Sequence, residues 1–327
     1  MKIKAIFCVV PAFLAFIILL VTHKSAATGF VFREEPAMGT FVKITIEKSK
    51  GCEKLLDESF GKIKELERKF SIYGTESEIN RLNNLRRMQV SDGLLFLIKK
   101  SIEISSATEG AFDITVLPLI NLYRNAEKEG IPPSDIRIGE TVNRIGWQKI
   151  EIKGRTVEIP CEIDMGGIAK GYIVDKTAGF LKDKGVENAL INAGGDIYCF
   201  GKNPKGGKWS IGIQDPFKKD AVKKIIHVTE CGIATSGDYE RHLMIKGEKY
   251  GHIVNPKTGK SVQDFPAGVT VVARDAATAD ALATAFYVLG VEESIELAEG
   301  MENVEVMLID GKGTVFESAN FSNLAAP

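Results

Sequence analysis

Hydrophobic periodicity changes along this chain, and that change limits the fold more than any single motif does. Leu55, Leu56, Phe60, Ile63, Leu66 and Phe70 fall on one side of a helix drawn over residues 52–70. Residues 92–108 carry a second amphipathic helical pattern that stops near Gly110. "SEINRLNN" (77–84) opens on a serine, a residue that caps helix starts. "FVKITIEK" (41–48) alternates apolar and polar residues, as a half-buried strand does. Further on, short strand signals with glycine punctuation take over: "TVEIP", "NALINAGGDIYCFG", "KWSIGIQDP" closed by an Asp-Pro turn, "HVTECGIATSGDY", "YGHIVNPKTGK" and "GVTVVA". "ATADALATAFYVLG" predicts a helix ending at Gly290, "EESIELAEG" a further helix, and "VEVMLID" with "GTVFES" a final hairpin. The mixture predicts an α+β fold of mixed, largely antiparallel sheets with surrounding helices. No repeat, low-complexity tract or domain boundary interrupts residues 30–320, so residues 28–327 read as one domain.

The first 27 residues stand apart. Lys2 and Lys4 precede an apolar run from Ala5 to Val21, which gives way to small and polar residues with "SAA" at 25–27. This pattern predicts a secretory signal peptide or an uncleaved signal anchor. The run sits at the short limit of a spanning helix, about 17–25 residues. Lysines ahead of it place the rest of the chain outside the cytoplasm, at the periplasmic face of the inner membrane. Cys8 lies too early in the run to be a lipid-attachment cysteine.

With 44% apolar and 26% charged residues, the chain has enough apolar side chains for a sizeable core. A formal net charge of −1 lacks the basic excess of a nucleic-acid binder. Export would permit a disulfide among Cys52, Cys161, Cys199 and Cys231, but spacing cannot pair them; small buried thiols are the simpler reading.

The densest chemistry lies in "IDMGGIAKGY" (163–172), where Asp164, two glycines and Lys170 crowd together. Glycines let a ligand approach the main chain, and a following helix start offers free N–H donors to an anion. The spacing matches neither common nucleotide fingerprint, so a phosphate cradle competes here with a plain turn-to-helix junction. Asp280 and Thr284 are four apart and share a helical face. A carboxylate and a hydroxyl so placed suit Mg²⁺, which completes its octahedron with waters and substrate phosphates. The competing reading is a solvated aspartate and a threonine bonded back to its own helix; the Ala, Leu, Phe and Val around them weigh against it. "EGAFDITVLPL" puts Asp113 beside apolar sequence, and His252 stands next to the turn-forming "NPKTG", a position suited to a mobile proton carrier.

Taken in order, "EPAMGT", "FSIYGTESEINRLN", "GAFDITVLPL", "IDMGGIAKGY", "INAGGDIY", "WSIGIQDP", "IATSGDYERH", "GHIVNPKTG" and "ADALATAFYVLG" resemble the ApbE family of FAD:protein FMN transferases, whose fold is T-fold-related. The resemblance covers residues 30 to 312, nearly all of the exported part. It implies an exported, Mg²⁺-dependent enzyme, often tethered to the membrane. Such an enzyme splits the pyrophosphate of FAD and joins FMN through a phosphoester to a threonine, sometimes a serine, of an acceptor flavoprotein, releasing AMP. Typical acceptors are subunits of membrane redox complexes.

Carried to this chain, the resemblance implies that Met38 and Tyr73 contact the flavin and that Ala111, Phe112 and Asp113 line the FAD pocket. Asp164, Lys170 and Ile253 are implied FAD-binding residues, and Asp280, Thr284 and the main-chain oxygen of Gly167 the metal ligands. Many relatives carry Ala at the Gly167 position, and Met165 replaces the usual Leu. A missing lipobox departs from the pattern of lipid-anchored members and leaves membrane or periplasmic placement as the expectation. His252 is the candidate base for the acceptor hydroxyl, because an imidazole pKa of about 6.5 suits work near neutrality; Asp164 or a metal-shell water are alternatives. Ser236 and Asp238 are expected to support the pocket, and Asn80 and Asn83 to bear on which nucleophile is excluded. Two other functions use the same residues: an FAD pyrophosphatase yielding FMN and AMP, and an exported FAD-binding protein without chemistry. Whether one or two Mg²⁺ ions bind stays open at this level.

Overall fold

A computed structural model describes residues 29–325 except Lys219, 238–241 and 263–265. The expected signal or anchor at 1–27 and the expected role of Asp238 therefore lie outside the described residues.

Strands β1 (Phe30–Ala37) and β2 (Thr40–Glu47) form a hairpin around Met38 and Gly39. Both turn residues have positive φ, 54° and 70°, the requirement of a two-residue turn that matches strand twist. A left-handed methionine is uncommon, and Met38 is held there by its N–H, which donates to Glu67 Oε1 at 2.9 Å. Glu67 belongs to α1 (Cys52–Phe70), whose expected apolar side buries Leu56, Phe60, Ile63, Leu66 and Phe70. In α2 (Glu78–Leu85) the Ser77 hydroxyl accepts from Asn80 N, as the serine signal predicted. Next come β3 (Arg87–Gln89), α3 (Asp92–Ala107), α4 (Leu117–Glu129), α5 (Asp135–Arg144), β4 (Glu151–Lys153) and β5 (Thr156–Glu158). Strands β3, β5 and β4 make a small antiparallel sheet.

Helix α6 (Ala169–Asp183) leads into β6 (Ala189–Ala193) and β7 (Asp196–Phe200), joined by Gly194 and Gly195. Then follow β8 (Trp209–Gln214), β9 (Val222–Val228), β10 (Cys231–Ser236), β11 (His242–Ile245), β12 (Glu248–Gly251) and β13 (Gly268–Ala273). Helices α7 (Ala276–Leu289) and α8 (Val291–Glu299) and strands β14 (Glu305–Ile309) and β15 (Val315–Glu317) complete the set.

Eight strands form the main sheet in the order β1-β2-β6-β7-β10-β13-β14-β15, antiparallel at each pairing. One face carries Val42, Ile44, Ile191, Ala234, Val269 and Val271 into the main core with α1, α6 and α7. The other face sends Ile197, Cys199, Ile233 and Val272 against Trp209, Ile211 and Ile226 of the β8–β9 hairpin and against Phe321. Covered on both sides, β13 is buried at every residue, which is why "GVTVVA" reads as a continuous apolar run and not as an alternation. A third core joins Leu119, Leu122 and Tyr123 of α4 to Ile138 of α5, Ile245 of β11 and Val254.

This is the expected α+β architecture. The edge strand β1 and the helices α4 and α5 go beyond the expected elements, although α4 buries Leu119, Leu122, Tyr123 and Ala126 at helical spacing before Gly130 and α5 opens on a Ser134 cap. Cys52, Cys161, Cys199 and Cys231 are free thiols, three of them buried, although Cys199 and Cys231 stand directly opposite each other on β7 and β10. No helix among the described residues is long and apolar enough to cross a membrane.

Candidate active site

The site is built where α6 and α7 meet. Side chains are too large for that approach: a methyl group on Gly171 would lie 2.2 Å from the Ala276 carbonyl oxygen, and one on Gly232 of β10 2.2 Å from Ala276 N. Asp175 of α6 then fastens the start of α7, accepting from Ala276 N at 2.8 Å and Ala277 N at 2.9 Å. Asp275 caps the same helix by accepting from Thr278 N at 2.7 Å. With α7 fixed this way, Asp280 faces the first turn of α6 and its Oδ2 accepts from Gly171 N at 3.1 Å. One turn further, Thr284 meets Gly167: a methyl group on that glycine would lie 3.2 Å from Thr284 Oγ1 and 3.2 Å from Phe112. The structure thus brings Asp280, Thr284, Gly167, Lys170 and Phe112 together from three separate stretches of sequence.

Charge is concentrated here. Lys170 donates to Asp196 Oδ2, and its ammonium stands 3.6 Å from Asp280 Oδ1. Asp196 is 2% exposed and Asp280 4% exposed. Burial, then the charge of Asp280, pushes Asp196 up to about 7, against the pull of Lys170. Burial also raises Asp280, with Lys170 opposing. For Lys170 burial works the other way, but the two carboxylates more than offset it and hold the ammonium above its ordinary pKa.

The donor set at Asp280, Thr284 and the Gly167 main chain is all oxygen: carboxylate, hydroxyl and carbonyl. Among the described residues no cluster of three or more His, Cys, Asp or Glu could hold a metal. A hard cation that takes few protein ligands and keeps waters or phosphates for the rest fits this set, which is the habit of Mg²⁺.

The other candidate residues lie on separate elements of the fold. Asp164, half-buried, hangs from Ile114 O through its own N–H at 2.8 Å and accepts from Gly166 N at 2.9 Å. Burial raises its pKa, and Arg124 is among the groups that lower it. Arg124 Nη2 also donates to the Tyr73 hydroxyl at 3.2 Å, so this 78% exposed ring is tied to the Asp164 neighbourhood. Thr40, two residues past Met38 at the start of β2, adjoins the turn before Asp196: a methyl group on Gly194 would lie 2.4 Å from Thr40 Oγ1. Ala111 and Phe112 are buried beside Asp113. The Asp113 carboxylate is itself engaged, accepting from Thr115 N at 2.8 Å, Thr115 Oγ1 at 2.7 Å and Trp147 N at 3.0 Å. Burial raises the Asp113 pKa.

His252 and Ile253 follow β12, both half-buried, and Ile253 packs against the main core. Their loop is fixed by Val262 N donating to Ile253 O at 3.0 Å and by Asn255, whose side chain accepts from Lys257 N and Thr258 N. Ser236 ends β10, which is antiparallel to β7 and so finishes at the same end of the sheet as Asp196. Asn80 and Asn83 spend their amides on the backbone, Asn80 on Ile72 O and Gly74 O, Asn83 in a two-point clasp on Ile163. Asn83 thus braces the irregular segment entering Asp164, and Asn80 the turn before α2.

Asp196 and Arg124 carry no assigned role in the sequence reading. For Asp196 the available signal was a carboxylate directly after the Gly-Gly turn of "INAGGDIY". Arg124 offered none.

Comparison with known proteins identifies the family of this fold. The ApbE family model matches residues 38–308. The chain is 32% identical over 286 residues to an FAD:protein FMN transferase of Vibrio cholerae, covering 84% of this chain and 86% of that protein. It is 31% identical over 275 residues to the protein of the same description in Haemophilus influenzae, covering 79% and 78%. Among solved structures, the flavin transferase ApbE from Vibrio cholerae superposes with a TM-score of 0.80 at 30% identity, covering 91% of this chain and 99% of that one. The ApbE protein from Thermotoga maritima gives a TM-score of 0.82 at 29% identity, covering 91% and 100%. On sequence and fold together, the chain belongs to the ApbE family.

Proposed function

We propose that this protein is an Mg²⁺-dependent FAD:protein FMN transferase acting on an exported flavoprotein. The observation that carries the reading is the meeting of Asp280, Thr284, Gly167 and Lys170 at the α6–α7 crossing, in a chain of this family. FAD is the substrate. A threonine hydroxyl of the acceptor attacks the phosphorus that bears riboflavin, the pyrophosphate P–O bond breaks, and AMP leaves with the bridging oxygen.

Asp280, Thr284 and the Gly167 carbonyl would hold the cation, which would supply charge to offset that building on the transferring phosphoryl group. Lys170 holds the remaining diphosphate oxygens, since the N–H groups of Ile168, Ala169 and Gly171 are spent on Met165 O and Asp280 Oδ2. Met38 and Tyr73 lie on the flavin side, while the stretch Ala111–Asp113 with Asp164 and Ile253 forms the rest of the pocket. His252 takes the proton from the acceptor hydroxyl. The lysines at 2 and 4 ahead of the apolar run support a position at the periplasmic face of the membrane, where a redox-complex subunit is the fitting acceptor.

A mass assay tests this. The protein is incubated with FAD, Mg²⁺ and a threonine-containing flavoprotein acceptor, beside a no-acceptor control and Asp280→Ala. The expected result is a gain on the acceptor equal to FMN minus water, absent with the variant. FMN and AMP beside an unmodified acceptor would instead mark a pyrophosphatase. FAD intact in every tube would leave a binding protein.

A further inference from the structure

Lys170 is shared by two buried carboxylates from different elements, Asp196 at the start of β7 and Asp280 in α7. Only one of them, Asp280, belongs to the proposed cation set. Its two oxygens differ. Oδ2 is engaged by the Gly171 N–H at 3.1 Å, while Oδ1 faces the Lys170 ammonium at 3.6 Å. An ammonium and a divalent cation that approach the same carboxylate compete for it and repel each other. Lysine is a point charge on a flexible stem and settles on whichever carboxylate holds it more closely. Here that is Asp196, to which Lys170 donates directly.

We infer that Asp196 is a positioning residue that holds the Lys170 ammonium away from Asp280, leaving Oδ1 open to a divalent cation. The inference rests on the reading of Asp280 as a cation ligand. Its physical content is a choice of partner. With Asp196 in place, the ammonium stays at the edge of the site, charged and available to a diphosphate. Without it, Asp280 becomes the nearest carboxylate for Lys170, the 3.6 Å gap closes, and the cation meets an occupied oxygen. The same division of labour explains why a carboxylate outside the cation set is buried to 2% exposure beside this lysine.

The test is Mg²⁺ binding by calorimetry to the full-length protein in detergent, with no FAD present. Four variants are compared with the wild type: Asp280→Ala, Asp196→Asn, Lys170→Met and the double variant D196N/K170M. Asp280→Ala is expected to abolish binding. Asp196→Asn is expected to weaken it at least about tenfold, the scale of losing an outer partner of a metal site. The double variant is expected to recover affinity to within about threefold of the wild type, because the competing ammonium is gone. A merely structural role for Asp196 would not be rescued by removing Lys170. Asp196→Ser removes the carboxylate without placing an amide against Lys170, and it carries the same comparison if Asp196→Asn does not fold. Wild-type affinity in the Asp196 variants, or a double variant as weak as D196N, overturns the inference. Equal binding by the wild type and Asp280→Ala overturns the cation reading and this inference with it, whereas an Asp196 effect failing alone leaves the cation reading standing.

Discussion

Gly171 and Ala276 touch through their backbones, and the Asp280 carboxylate depends on that contact. A methyl group on Gly171 would sit 2.2 Å from the Ala276 carbonyl oxygen and 2.7 Å from Ala277 N. Both neighbours are backbone, so no side-chain rotation can relieve the overlap. Gly171→Ala must push α6 and α7 apart, which loosens both the Gly171–Asp280 and the Asp175–Ala276 hydrogen bonds. Overpacking of this kind costs about 2–3 kcal/mol. Urea denaturation should show that loss, and Mg²⁺ affinity should fall with it. A variant as stable as the wild type would show that the helices do not meet this closely.

What the sequence made legible here is local. Asp280 and Thr284 share one helix, so their spacing alone put them on one face. Gly167 and Lys170 are three positions apart across the turn that opens α6, so their proximity is local too. The partners that cross the fold were hidden: Lys170 and Asp196 are 26 positions apart, and no periodicity links them. Asp175 reads as an ordinary helix-surface acid, yet it ties α6 to α7 because that contact exists only after the glycines let the helices meet. Asp113 is conspicuous beside apolar sequence, and only the family resemblance implies that it lines the FAD pocket; the engagement of its two oxygens by Thr115 and Trp147 carries no spacing signal.

Thr284→Val separates the hydroxyl from the shape it occupies. The side chain stays β-branched where it meets Gly167 and Phe112, so the fold should persist. If the hydroxyl is a cation ligand, FMN transfer should fall at least about tenfold and Mg²⁺ affinity with it, while Thr284→Ser keeps most of both. Paired melting curves and single-turnover transfer measurements check this. Unchanged transfer in the valine variant would remove Thr284 from the ligand set.

Asp175 should make stability depend on pH. Burial pushes its carboxyl from an ordinary 3.8 up to about 7, despite the two amide donors it accepts from. The folded protein therefore holds this proton more tightly than the unfolded chain does. The stability it contributes is present below about pH 4 and is lost as pH rises through about 7. Asp113, Asp164, Asp196 and Asp280 are raised in the same direction, so the metal-free protein should melt higher near pH 5 than near pH 8. Asp175→Asn should flatten that slope. Melting temperatures across this range, taken in a chelator, decide it; equal slopes would take Asp175 out of the titrating set.

Tyr73 and Arg124 offer a test of the flavin side that does not touch the cation site. The Tyr73 ring is 78% exposed and is steadied by the Arg124 guanidinium, 3.2 Å from its hydroxyl. An exposed aromatic ring held in place is suited to stacking on a flat heterocycle. Tyr73→Ala should raise KM for FAD about tenfold through the loss of stacking, with a smaller effect on kcat, while Tyr73→Phe stays near the wild type. Arg124→Ala should act differently. The arginine lowers the Asp164 pKa that burial raises, so its removal lets that carboxyl rise further. If Asp164 works as a carboxylate, the acidic limb of kcat/KM then moves to higher pH in Arg124→Ala and stays in place in Tyr73→Ala. A limb that moves equally in both variants would mean that the arginine acts only by holding the ring.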